Sequence, residues 1–154
     1  MFRHEIRSEL TFDGTPDEVW HVLTDFPRYS EWNPGFVRFE GRPEVGTKLE
    51  ISFTPRDVGK RPMTMRPVVL EVDPGRGFRW LGHLFVPGLF DGEHRFEIHE
   101  PEPGRVTFVQ GERFRGALVP FLRRMLDRDT VSMFDRVNEA LARRVAELRD
   151  RRAA

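Results

Sequence analysis

The chain has 154 residues, enough for one domain with a core that needs no disulfide or metal to hold it. It contains no cysteine, which excludes a thiol nucleophile, a disulfide framework and any cysteine-based zinc or iron–sulfur site. Lys plus Arg and Asp plus Glu number 25 each and the two signs are interspersed, so no basic face points to a nucleic-acid partner.

The unusual count is aromatic: 14 Phe and three Trp against one Tyr. So many rings call for a bulky core or a ring-lined pocket. No N-terminal signal pattern and no apolar run approaching about 18 residues is present, so we expect a cytoplasmic protein without a membrane span. The locally basic tail "LARRVAELRDRR" reads as a solvated helix end with cations at the negative pole of the dipole.

In chain order, "HEIRSELTF" alternates, with Ile6, Ser8, Leu10 and Phe12 on one side, which predicts a strand with one wet face. Thr15 can cap a helix, Pro16 suits its first position and Glu18 completes a capping box. Val19, Val22, Leu23 and Phe26 follow at helical spacing until Pro27 stops the helix, and a second helical turn falls on "RYSEW". Residues 36 to 114 read as strands broken by turns. Leu49, Ile51 and Phe53 share a face, as do Val68, Leu70 and Val72, and then Phe78, Trp80 and Leu84. Pro67 is expected to bulge its strand, which leaves the side taken by Arg66 unreadable. "FVPGLFDG", residues 85 to 92, is a loop. After Gly116 the period becomes helical to about Arg149, with Leu118, Leu122, Met125, Asp129, Met133, Val137, Leu141 and Leu148 on one broad face. Pro120 is tolerated in the first turn.

An antiparallel sheet with one wet face must bury the other against something, and the long last helix is the only element of suitable length. The expected fold is α+β: two short helices after the first strand, and a curved antiparallel sheet of about seven strands around a long C-terminal helix, in one domain spanning 1–154. This order resembles the START-like superfamily, also called SRPBCC or helix-grip proteins. "GTPDEVWHVLTDFPRYSEWNP" resembles its opening motif. "GRGFRWLGHLFVPGLFDGEHRFEI" and "TFVQGERFRGALVPFL" resemble the mid-chain hairpin and last strand of its polyketide cyclase/dehydrase-like branch. The resemblance implies that the two short helices plug one end of the sheet, with Tyr29 and Trp32 over the narrow end of a cavity. It also implies a small hydrophobic ligand, lipid- or polyketide-like. It names no catalytic residue.

Function on such a fold lies where polar residues share parity with core residues, because an inward polar group needs a partner. Setting Glu100 opposite Val106 across the "EPEPG" turn pairs Ile98 with Phe108, Phe96 with Gln110 and His94 with Glu112, all on one face. His94 and Glu112 then read in three ways: a hydrogen-bonded structural pair, an anchor for the polar handle of a greasy ligand, or a general acid/base pair. The expected ligand-lining set is Trp32, Trp80, His94, Phe96, Phe108, Gln110, Glu112, Met125, Asp129 and Met133. Asp129 either enters the cavity or marks the helix turning out to solvent beside Arg128. Phe85, Leu89 and Phe90 either pack on the last helix or gate the cavity, with Gly88 and Gly92 as hinges. The scattered histidines offer no metal set, so neither metal nor cofactor is expected, and no phosphate loop or nucleophile elbow is present. Three functions remain: a binder of a small hydrophobic or aromatic molecule, a cyclase, aromatase or dehydratase using His94 and Glu112, and a module that works through its surface. Nothing in the sequence speaks to oligomeric state.

Overall fold

A computed structural model describes all 154 residues. Strand β1 (Arg3–Asp13) leads into helix α1 (Pro16–Thr24), where the capping box forms: the Thr15 hydroxyl accepts from the Glu18 N–H, and the Glu18 carboxylate accepts from the Thr15 N–H. A 3₁₀ helix (Phe26–Glu31) follows. Seven strands come next: β2 (Phe36–Glu40), β3 (Glu50–Phe53), β4 (Thr64–Met65), β5 (Val68–Asp73), β6 (Gly77–Leu84), β7 (Phe90–Glu102) and β8 (Arg105–Arg115). Helix α2 (Val119–Met125) and helix α3 (Val131–Ala153) close the chain.

Five strands form a sheet in the order β1-β8-β7-β6-β5, and three form β2-β3-β4. The pairs Ile51–Met65 and Ser52–Thr64 continue in the same register as the bridge from Lys48 to Val68. β4 and β5 are thus one strand interrupted at Arg66–Pro67, since a proline cannot donate to the ladder. The two sheets make one curved antiparallel surface gripping α3, which is the helix-grip fold. The count differs from the sequence reading only through this interruption.

Two expectations on core parity are corrected. Val69, not Val68 or Leu70, is buried, and it pairs with Trp80. A register shift between Val69 and Glu71 absorbs one residue, so Val72 comes back opposite Phe78. The C-terminal helix is not continuous either. A π-helical segment at Leu126–Thr130 separates α2 from α3. The wider turn rotates the apolar stripe, so Phe134 is buried while Met133 is half-buried.

The interior has two apolar zones. The larger gathers α1, the 3₁₀ helix and most of the sheet around Phe26, Tyr29, Phe78, Phe96 and Phe108. The smaller holds Ile6, Phe114, Val119, Leu126 and Phe134. A buried polar chain crosses between them. Gln110 Nε2 donates to Asn138 Oδ1 at 2.7 Å and Asn138 Nδ2 donates to Ser8 Oγ at 3.0 Å. The Ser8 hydroxyl donates to Asp135. Ser8 and Gln110 are also cross-strand partners, so the chain ties α3 to β1 and β8 at one point. Replacing Asn138 with Leu keeps the volume but removes the shorter hydrogen bond of Gln110 Nε2 and the donor to Ser8 Oγ, leaving them only the Phe134 carbonyl and Asp135. Denaturant unfolding is expected to show a loss of about 1–3 kcal/mol; unchanged stability would mean the network does not hold the helix.

Candidate functional site

β7 and β8 pair in the register read from the sequence: His94 faces Glu112, Phe96 faces Gln110 and Ile98 faces Phe108. Only the turn differs, with a shift between His99 and Glu102. β6 places Trp80 opposite His94 on the other side. The His94 imidazole lies parallel to the Trp80 indole, with centroids 5.0 Å apart and planes 12° apart. Phe96 at 4.4 Å and the edge of Phe134 at 5.0 Å complete its surroundings. His94 is 3 % exposed and Trp80 is 2 % exposed.

His94 Nδ1 lies 3.3 Å from Glu112 Oε2. An ionised carboxylate only accepts, so this contact puts the proton of a neutral imidazole on Nδ1 and leaves Nε2 with a lone pair. His94 Nε2 and Trp80 Nε1 are both buried and both lack a protein partner. Leaving such an atom unpaired costs about 1–3 kcal/mol, and folded proteins do it seldom. Two such atoms on stacked rings, inside an aromatic shell, are the most unusual chemistry of the interior.

Gly92 makes room for this pair. A Cβ at position 92 would lie 2.5 Å from Glu112 Oε1, so any side chain there would move the carboxylate. Gly82 serves Trp80 in a similar way. A Cβ there would meet Met65 Cε at 2.3 Å, with the indole at 3.5 Å, so Met65 lies across Gly82 beside the ring.

The other residues singled out in the sequence divide between interior and surface. Phe96, Phe108 and Gln110 are buried, and the amide of Gln110 is engaged by Asn138 and by the Phe134 carbonyl at 3.3 Å. Trp32 is half-buried against Tyr29, at 5.2 Å, on the edge of the larger zone. The Tyr29 hydroxyl donates to the Leu23 carbonyl, and burial pushes its phenol well above the usual range, with the Asp25 charge adding to it. Met133 is half-buried near Gly35, and Met125 packs on the smaller zone. Asp129 sits in surface ion pairs with Arg128 and Arg56 rather than beside His94. The hydrogen bond from Arg128 holds its carboxyl below the usual range against an opposing effect of desolvation, and Arg56 adds to the lowering. In the loop, Phe90 stacks on Phe114 at 5.2 Å, Leu89 is half-buried and Phe85 is 74 % exposed. Both Asp91 carboxylate oxygens accept from the Gly88 N–H at 3.0 Å, and His83 Nδ1 lies 2.7 Å from Oδ1, so the loop is braced.

Met65, Phe134 and Asn138 escaped the sequence reading. Gly82 in mid-strand was the available signal for Met65, since a glycine there marks close approach. The rings of Trp80, Phe96 and Phe134 pack around His94. A broad surface hollow of about 850 Å³ lies on the wet face among Glu71, Arg79, Glu93 and Arg95.

Curved sheet, plugging helices and gripped C-terminal helix define a START-like protein. A family model described as polyketide cyclase / dehydrase and lipid transport matches residues 3–146, and the chain belongs to that family. Among solved structures it resembles a point mutant of norcoclaurine synthase from Thalictrum flavum in complex with a transition-state analogue (TM-score 0.73, 14% identity, 96% of this chain and 97% of that one). It also resembles the di-domain ARO/CYC StfQ from the steffimycin biosynthetic pathway (TM-score 0.76, 18% identity), covering 96% of this chain but 52% of that one. A START superfamily protein from Mycobacterium smegmatis aligns at TM-score 0.71 and 15% identity, over 94% of this chain and 99% of that one. These likenesses establish the fold. No curated protein matches the sequence significantly.

Gly92→Ala tests the hold of Glu112 on His94. The clash falls on the far end of a flexible side chain, so the fold should survive while the carboxylate swings away. The ¹⁵N resonances of the His94 ring are expected to shift relative to the parent. Identical resonances would show that Glu112 does not set the state of the ring.

Proposed function

We propose that this protein binds a small hydrophobic or aromatic molecule, lipid- or polyketide-like, in the interior between the curved sheet and the C-terminal helix. The ligand carries an oxygen that engages His94 and Trp80. The observation behind this reading is the pair of buried, unpartnered nitrogens, His94 Nε2 and Trp80 Nε1, within a shell of aromatic side chains. A hydroxyl can donate to the lone pair of Nε2 and accept from an indole N–H, so one polar handle would answer both atoms. Ligand sites of this kind are mainly apolar with a few placed polar groups. Room comes from side chains that yield: Met65 beside Trp80 and Met133 near Gly35 are half-buried, and methionine re-packs readily. The family description supports the reading, as does a norcoclaurine synthase of the same fold solved with dopamine and hydroxybenzaldehyde.

The His94–Glu112 contact also favours a second reading, a cyclase, aromatase or dehydratase. Nε2 would take a proton from the bound molecule while Glu112 stabilises the imidazolium. The two readings part at His94: an enzyme loses turnover in His94→Gln while it still binds, whereas a binder has no turnover to lose.

Calorimetric titration with 1-naphthol, 1-methoxynaphthalene and naphthalene tests the binding site. Naphthol is expected to bind about tenfold or more tightly than either analogue, roughly 1.4 kcal/mol, because only it donates to Nε2. His94→Phe should erase the difference. Equal affinity for all three would keep the apolar site and remove the polar handle. Failure of every ring compound, with no bound compound found by mass spectrometry of organic extracts, would remove the ligand site itself.

A further inference from the structure

We propose that the end of the molecule built from the β6–β7 loop, the start of α2 and the N-terminal residues docks on an anionic phospholipid surface. Four large apolar side chains stand in solvent there: Phe2 is 58 % exposed, Phe85 74 %, Val86 61 % and Phe121 82 %. Backbone hydrogen bonds hold their segments together. Gly116 N–H donates to the Phe2 carbonyl, Ala117 N–H to Gly88 and Leu118 N–H to Leu89. Phe121 follows within the first turn of α2, where its N–H donates to Leu118. Gly116 permits this closeness, because a Cβ there would lie 2.3 Å from the Leu89 carbonyl oxygen.

The exposure of Phe85 is built in. Its φ of 69° falls in the left-handed region, which a bulky side chain seldom occupies. The Asp91 brace on Gly88 holds the loop in this shape. An aromatic side chain kept outward by a strained residue and a braced loop has no role in the core.

Charge identifies the occupant. Arg3, Arg115, Arg123 and Arg124 are exposed around these side chains, and none has a carboxylate partner, whereas most arginines of the sheet's wet face are paired. The carboxylates nearby have other partners: Asp91 bonds Gly88 and His83, Asp127 bonds His4, Glu5 pairs with Arg95 and Arg113, and Glu93 with Arg79. A chain of zero formal charge thus carries arginines without ion-pair partners beside exposed rings at one end. Rings that enter the headgroup boundary and arginines that meet lipid phosphates are the pairing an anionic bilayer takes up. No helix is long and apolar enough to cross a membrane, so the contact lies on the surface.

Flotation of the intact protein with vesicles of phosphatidylcholine, alone or mixed with phosphatidylglycerol, tests it. Binding to the mixed vesicles is expected to be at least about tenfold stronger and to weaken as salt screens the charges. The double variant Phe85→Ser/Phe121→Ser should abolish it, and Arg123→Gln/Arg124→Gln should remove the preference for anionic lipid. All four positions are exposed, so circular dichroism and thermal unfolding should match the parent. No binding to the mixed vesicles, or binding that neither variant alters, overturns the proposal. Sedimentation showing self-association that the Phe variant abolishes, without vesicle binding, would overturn it in favour of a contact between copies of this chain.

Discussion

The seating of α3 depends on one buried polar chain, Gln110–Asn138–Ser8–Asp135. Hydrophobic burial draws a helix onto a sheet without choosing how far it slides or rotates. Directional hydrogen bonds among the buried Gln110, Asn138 and Ser8 make that choice, because a slip by one turn would leave these groups unpaired away from water. The chain lies between the two apolar zones. It therefore acts as the fixed point from which the side chains of α3, Phe134 among them, reach the sheet.

The His94 site inherits its geometry from that arrangement. Gln110 bonds the Phe134 carbonyl, and the Phe134 ring stands steeply against His94, 5.0 Å away. Trp80 supplies the opposite wall through direct cross-strand pairing, and Glu112 reaches the imidazole from the other neighbouring strand. Three strands and a helix thus converge on one ring. The protein satisfies the Nδ1 side and leaves Nε2 unpaired, an asymmetry suited to holding a foreign polar group. Glycines at 82 and 92 open the space that Met65 and Glu112 occupy. Here, absent side chains shape the site as much as present ones do.

The π-helical segment separates two tasks within the C-terminal helix. Beyond it, α3 packs into the grip. Before it, α2 leans on the braced loop and carries Phe121, Arg123 and Arg124 at the surface. Asp127 and Asp129, within the widened turn, face outward to His4 and to Arg56 and Arg128. Interior and outer end are in this way built from one continuous stretch of chain with a change of phase in its middle.

Much of this was legible in the sequence, because strand alternation and helical spacing are local properties. The capping box at Thr15, the antiparallel grip and the facing of His94 by Glu112 all follow from residue order and a short turn. The register survived a bulge near that turn because a slip by one residue would have turned every Phe on β7 and β8 to solvent. The sequence did not disclose what depends on contacts between distant segments. The inward turn of Val69 and the change of phase that buries Phe134 beside a half-buried Met133 arise from local irregularities, which periodicity averages away. The partnering of Gln110 by Asn138, the lack of a partner for His94 Nε2 and the outward set of Phe85 were decided only when strands and helix met. Whether a polar atom is satisfied depends on every neighbour in space, and neighbours in space are not neighbours in sequence.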